Sequence, residues 1–341
     1  MISFVSSLLI VFTSRWHGAF SFDNTNGVQK MHAQPTPRIG GLPIVFGIIA
    51  AWWTAPPDLS HKLTPWMIAG IPAFAFGLAE DFTKRISVTQ RLLATMTSGA
   101  LGWWLTGYSL TRTDVWGLDQ ILFWTPASVL FTAFAVGGVS NAINIIDGLN
   151  GLASSMVFWA LLGLAGVAYS VGDTTLAQAS LIIAACVAGF FFVNWPFGKI
   201  FLGDGGSYFL GFALAWGCVI LIERHQNVSA FSALLLCIHP VTEVLFSVYR
   251  RRARKAHPGH PDRLHLHSLF KRRVMSRLLP RQSKRIRNSL GGLIIGSMSM
   301  LPAIITQFTY TSTAASLMFV AILAAIYLRA YQRIVSSSVK H

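Results

Sequence analysis

Long apolar stretches alternate with short polar ones from one end of the chain to the other. Eleven of them stand out, at residues 1–13, 41–56, 65–79, 92–108, 120–140, 152–171, 176–195, 206–222, 229–249, 289–308 and 313–330. They lack the period-2 alternation of half-buried strands, and most approach the length of about 20 residues that a helix needs to cross a bilayer. Backbone groups in lipid must be satisfied within the segment, so these stretches predict helices. The expected fold is an all-α polytopic membrane protein with about 10–11 transmembrane helices. It forms one domain over residues 1–341, with active-site loops on the cytoplasmic side. The first stretch is short for a span. No charge precedes it and no small-residue cleavage site follows it, so it does not read as a cleaved signal; either Arg15 and Trp16 anchor it at the interface or the true start lies upstream.

Composition agrees with this pattern. Hydrophobic residues make up 53% of the chain and charged residues only 11%, against about 25% charged in soluble domains. Cys186, Cys218 and Cys237 all lie in apolar runs, without metal-ligand spacing.

Charge adds a direction. The net charge is +15, and of the 27 Lys and Arg all but Lys62, Arg112 and Arg224 fall in alternate polar segments. The positive-inside rule places those segments in the cytoplasm. The largest is a basic loop at residues 250–288. Asp23, Glu80, Asp81, Asp147, Asp204 and Asp262 sort to the same side, so the patterned acids gather at one membrane face.

Four of these segments carry candidate chemistry. In Asn141–Leu152, the side chains of Asn141, Asn144 and Asp147 recur every three residues, which puts them on one helix face. Gly148 and Gly151 then release the backbone. Glu80 and Asp81 are adjacent acids at a helix foot beside Lys84, Arg85 and Arg91, suited to a divalent cation or a proton. Gly203-Asp204-Gly205-Gly206-Ser207 is a glycine-flanked acid of the kind that allows close approach to phosphate, with Ser207 placed to cap the next span. In the large loop, Arg263, His265 and His267 suit a pyrophosphate. The two histidines are two residues apart, so their rings are expected to point apart, which makes a poor zinc pair. Beyond them Leu266, Phe270, Val274 and Leu278 repeat every four residues among basic side chains, predicting an amphipathic helix on the anionic leaflet. Membrane attachment explains this basicity without nucleic acid. Lys30, His32 and Arg38, around Pro35-Thr36-Pro37, form a further cationic segment.

Taken together and in this order, the segments resemble the polyprenyl-phosphate N-acetylhexosamine-1-phosphate transferases, the family of WecA and MraY. The most specific pieces are Asn141–Leu152, Leu202–Ser207 and Pro261-Asp262-Arg263-Leu264-His265-Leu266-His267, the last like the WecA branch. Two positions depart from the family pattern. Glu80 stands where the family usually has Asp, and Ser268 stands where it has a last histidine. The resemblance implies attack of undecaprenyl phosphate on the β-phosphorus of a UDP-N-acetylhexosamine, with GlcNAc as the default sugar. UMP leaves, and the lipid-linked product starts a cell-envelope polysaccharide. It also implies Mg²⁺, with Mn²⁺ as the alternative ion, held chiefly by Asp204 with Asp81 and Asp147. Asp81, supported by Glu80, would keep the lipid phosphate deprotonated. Asn141, Asn144, Lys30, His32, Arg38, Arg263, His265 and His267 would bind substrate. The implied location is the bacterial inner membrane, in contact with its lipids, and a homodimer is compatible with the resemblance. Other readings stay open: an MraY-like phospho-MurNAc-pentapeptide transfer, or a transporter of an anionic lipid or solute. A transporter usually binds near the midplane between repeats, and neither midplane acids nor a repeat is visible in the sequence. Glu243 is the one acid inside an apolar run, near its cytoplasmic end.

Overall fold

The structure, a computed structural model, describes residues 1–23, 35–254 and 264–336. Helices α1 (Ile2–Phe12) and α2 (Ser14–Ser21) open the chain. Two-residue strands β1 (Phe22–Asp23) and β2 (Thr36–Pro37) then pair antiparallel. Next come α3 (Gly41–Thr54), α4 (Pro57–Thr83), α5 (Val88–Thr106), the short α6 (Leu118–Leu122) and α7 (Thr125–Ile146). They are followed by α8 (Leu152–Ser170), α9 (Thr174–Asn194), α10 (Gly203–Arg224), α11 (Ala230–Leu236) and α12 (Ile238–Ala253). After the loop lie α13 (Leu266–Leu269), a π-helical turn at Phe270–Met275 and α14 (Ser276–Leu278). The chain closes with α15 (Lys284–Ser297), α16 (Met300–Thr309) and α17 (Thr313–Ser336).

The protein is a multi-pass membrane protein. Among the described residues, seven helical stretches are long and apolar enough to cross a membrane: α4, α7, α8, α9, α10, the run Lys284–Thr309 and α17. The expected span 229–249 is not straight: α11 and α12 meet at 82° and count as an eighth crossing only as a bent pair. Pro240 has no N–H for the carbonyl four residues back, which removes a ladder bond at the bend. The expected spans 1–13, 41–56 and 92–108 all form helices. α1 and α3 are shorter than a full crossing, and α5 carries polar residues over its first half.

α10 is the axis of the bundle. It is buried along its apolar length by α4, α7, α3, α8 and α9, with Trp216, Phe212, Phe209 and Tyr208 filling the core. A helix apolar on all sides belongs in the centre. Its first turn can sit there because glycines face glycines. A Cβ on Gly41 would come within 2.5 Å of the Gly206 nitrogen, and one on Gly77 within 2.6 Å of the Asp204 carbonyl. α4 tolerates Pro72 within its span, and the neighbouring Ala73 N–H donates to Ser98 Oγ on α5 at 3.0 Å.

The region after the loop departs from the expected amphipathic helix. The register breaks at the π-helical turn, which shifts side chains around the axis. Leu266 and Leu269 are buried against Tyr327 and Tyr331 of α17, whereas Leu278 is exposed. Protein packing therefore covers the start of this apolar stripe, and Lys271, Arg272, Ser276, Lys284 and Arg287 line a cleft of about 170 Å³ behind it.

Candidate active site

Three of the patterned acids, Asp81, Asp147 and Asp204, converge at one end of the bundle; Asp262 lies outside the described residues. Asp81 is the last buried residue of α4. Its Oδ1 accepts the Asp204 N–H and its Oδ2 the Gly205 N–H, both at 2.9 Å. It therefore caps α10 from another helix, using donors that a helix N-terminus leaves unpaired. This corrects the expectation of a glycine loop open to phosphate: the carboxylate of Asp81 already occupies those N–H groups. Ser207 is not the cap but lies inside α10, its Oγ donating to the Asp204 carbonyl at 3.2 Å.

Asp204 is buried and its two oxygens face cations. Oδ1 accepts from Arg38 Nη2, and from Asn144 Nδ2 at 3.0 Å; Oδ2 accepts from Arg91 Nη1. Arg38 also reaches Asp81, Nε to Oδ1 at 3.2 Å. The backbone places Arg38: residues 37–41 run beside 201–202, with Phe201 N–H donating to Pro37 O and Gly40 N–H to Phe201 O, both at 2.8 Å. Gly203, at φ +77°, allows this approach, because a Cβ would lie 2.3 Å from the Arg38 carbonyl. Arg91 stands in the first turns of α5, after the Ser87–Gln90 capping box. The sequence alone did not mark Arg91 as a partner of Asp204. Its place beside Glu80 and Asp81 in the same basic segment was the available signal.

The two adjacent acids part company. Glu80 turns away from Asp204 and accepts the Ile86 N–H at 2.8 Å, holding the α4–α5 loop. The amides part as well. Asn144 bridges Asp204 and Ser207 Oγ, the latter at 2.9 Å. Asn141 is instead spent on packing, its Nδ2 donating to Gly137 O at 2.8 Å and Thr95 Oγ1 at 3.1 Å. Lys30, His32 and Arg263 lie outside the described residues.

Asp147 follows the last turn of α7, where the helix ends as expected, and Gly151 at φ +79° opens α8. Its half-buried carboxylate accepts no hydrogen bond from a described residue. Burial pushes its carboxyl up to about 7, against the pull of Arg38 and with Asp204 adding to the rise. A folded-state pKa above the ordinary 3.8 means that the fold holds this proton more tightly than the open chain. The resulting stability is full below about 4 and is lost as pH rises through about 7. Asp147→Asn, which needs no proton, is therefore expected to melt higher than wild type at pH 8 in chelator. The gap should close toward pH 4, as read by intrinsic fluorescence.

His265 and His267 correct the expectation that their rings point apart. The backbone turns from extended at His265 into α13, and the rings stack at 5.6 Å and 2°. His267 packs on the turn after Asp147: a Cβ on Gly148 would lie 2.4 Å from His267 Nε2. Burial holds the His267 imidazole neutral, down to about 3, against the pull of Glu243.

Hard oxygen donors from Asp147 and Asp204 suit Mg²⁺, which is usually held by one or two carboxylates with substrate phosphates completing its shell. Among the described residues, no three His, Cys, Asp or Glu side chains form a metal site by themselves. Asp81 is engaged by backbone N–H groups and Asp204 by guanidiniums, which leaves Asp147 as the unengaged carboxylate. The donor set fits an ion that arrives with a diphosphate.

A family model described as glycosyl transferase family 4 matches residues 63–222, the stretch holding Glu80, Asp81, Arg91, Asn144, Asp147 and Asp204. The matched stretch covers 160 of the chain's 341 residues. Its similar proteins include a probable undecaprenyl-phosphate N-acetylglucosaminyl 1-phosphate transferase of Bacillus subtilis, 28% identical over 246 residues. That alignment covers 70% of this chain and 66% of the B. subtilis protein. The undecaprenyl-phosphate alpha-N-acetylglucosaminyl 1-phosphate transferase of Thermotoga maritima is 26% identical, over 80% of this chain and 79% of its own. The protein of the same name from Escherichia coli K12 is 27% identical, over 72% and 67%. The matched residues run from α4 to α10, whereas Arg38, His265 and His267 reach the site from outside that stretch.

Proposed function

We propose that the protein transfers GlcNAc-1-phosphate from UDP-GlcNAc to undecaprenyl phosphate at the cytoplasmic face of the bacterial inner membrane. An oxygen of the lipid phosphate attacks the β-phosphorus. The bond from that phosphorus to the bridging oxygen breaks, and UMP leaves with the electron pair. One phosphoanhydride replaces another, so no separate energy source is needed, and the task is charge neutralisation and alignment.

The observation that carries this reading is the pairing of Asp204 with two arginines beside an unengaged Asp147, at one end of a membrane bundle. Arg38 and Arg91 bring guanidiniums of the geometry that grips phosphate oxygens. The Nε–H of Arg91 is buried without an acceptor among the described residues, a gap that an anionic oxygen fills. Asn144 fixes the rotamer of Asp204. When bound, Mg²⁺ would supply charge neutralisation on the diphosphate, with Asp147 and Asp204 as its protein ligands. A lipid phosphate has a second pKa of about 6, so it is largely dianionic at neutral pH and Asp81 is left to its capping role.

The test is a transfer assay with purified protein, undecaprenyl phosphate, Mg²⁺ and a panel of labelled UDP-sugars, following label into the organic phase and UMP into the aqueous phase. Metal-dependent lipid product from UDP-GlcNAc with equimolar UMP is expected. Product from a different UDP-sugar would change the assigned donor, and folded protein that makes no product from any UDP-N-acetylhexosamine would end this reading.

A further inference from the structure

The histidine loop is held by a buried polar cluster that lies outside the family-matched residues. Glu243 of α12 is fully buried. Its Oε1 accepts from His265 Nδ1 at 2.9 Å, and its Oε2 accepts from the Tyr327 hydroxyl at 2.7 Å and the Leu266 N–H at 3.2 Å. A carboxylate can only accept here, so the Nδ1 of His265 is the donor. The ring of His265 then stacks on His267, and His267 sits on Gly148, next to the unengaged Asp147. His267 Nδ1 is buried with no partner among the described residues.

A carboxylate in an apolar pocket is expensive, and a well-packed apolar side chain usually serves stability as well or better. What Glu243 adds is direction. It gathers donors from the His265–Leu266 loop and from α17, and each is fixed in angle as well as distance. From Tyr327 the contacts run through Glu243, His265 and His267 to the Asp147 turn.

We propose that Glu243 and Tyr327 are positioning residues for the transfer reaction: they lock His265, and through the ring stack His267, against the Asp147–Gly148 turn. The last helix of the chain thereby sets the geometry of a site built mainly in α4 to α10. This inference rests on the reading of that site as the transfer site.

The experiment uses full-length protein in detergent, as wild type, Glu243→Gln, Tyr327→Phe, His267→Ala and Glu243→Gln/His267→Ala. Outer partners that orient metal-ligating histidines are worth about 10–100-fold in activity, and the same range is expected for this orienting contact. Glu243→Gln and Tyr327→Phe are expected to lower kcat within that range while KM for undecaprenyl phosphate stays within about twofold. Glu243→Gln should cost nothing further in the His267→Ala background, because it acts through that ring. A merely structural Glu243 would instead lower activity equally in both backgrounds. Carbethoxylation of each histidine, read by mass spectrometry, follows the clamp without turnover and should rise several-fold at His265 and His267 in both single variants. Tyr327→Phe removes one hydroxyl only, so it decides the matter if Glu243→Gln fails to fold. An active wild type, with kcat and labelling unchanged in the variants, would overturn the clamp and leave the transfer reading standing. Additive losses would overturn the positioning role. A wild type inactive with every donor, whose labelling still rises in the variants, would overturn the transfer reading and with it the catalytic role of a clamp that exists.

Discussion

Asp204→Asn is expected to abolish transfer and to destabilise the protein at the same time. Both oxygens of Asp204 face guanidiniums, and the side chain is nearly fully enclosed, at 3% exposure. The amide removes the charge and replaces one acceptor with a donor that points at an arginine. Arg38 and Arg91 would then stand together at the end of the bundle with less to oppose their repulsion. Removing one partner of a buried ion pair costs about 3–5 kcal/mol, and losing a group aligned with the reacting charge costs about 100- to 1,000-fold in rate. The measurement is product formation alongside a melting curve, in the presence and absence of Mg²⁺. If activity falls but the melting temperature does not, the arginines have other counter-charges and the ion-pair account of this site is wrong. Restoring stability without activity, by pairing Asp204→Asn with Arg91→Gln, would separate the two losses.

The second large effect is a contrast between neighbours. Asp81→Asn should lower activity about 100-fold or more, whereas Glu80→Gln should stay within about tenfold of wild type. Asp81 offers two acceptors to two consecutive N–H groups of α10, and asparagine offers one. The first turn of α10 would lose a cap and Asp204 would shift with it. Glu80 only holds the Ile86 N–H at the loop, a bond that glutamine can keep. Steady-state kinetics on the two variants decide between this division of labour and the alternative in which the pair acts as one acid–base unit. Equal losses would favour the unit. The glutamate at position 80, where the family usually has aspartate, is consistent with the division, because a loop bond tolerates a longer side chain better than a helix cap does.

Much of this protein was legible in its sequence. Apolar runs without soluble-protein charge density fixed an all-helical membrane fold, since lipid leaves the backbone few other ways to satisfy itself. The three-residue spacing of Asn141, Asn144 and Asp147, and the break at Gly148, were also legible, because they follow from helix geometry alone. The gathering of Asp81, Asp147 and Asp204 followed from charge sorting across the membrane. The division of roles within those motifs was not legible. Whether Asn141 or Asn144 faces Asp204 depends on how α7 is rotated against α10, and that rotation is set by packing, not by spacing. Asp81 became a cap because glycines at 77 and 203 let α4 and α10 meet there. Arg91 joined the site because α5 crosses at that level. The ring stack of His265 on His267 needed a backbone that changes from extended to helical between them. The link from Tyr327 to Glu243 joins residues 84 apart in the chain. Sequence determined which groups reach this end of the membrane; close packing between distant segments decided which of them touch.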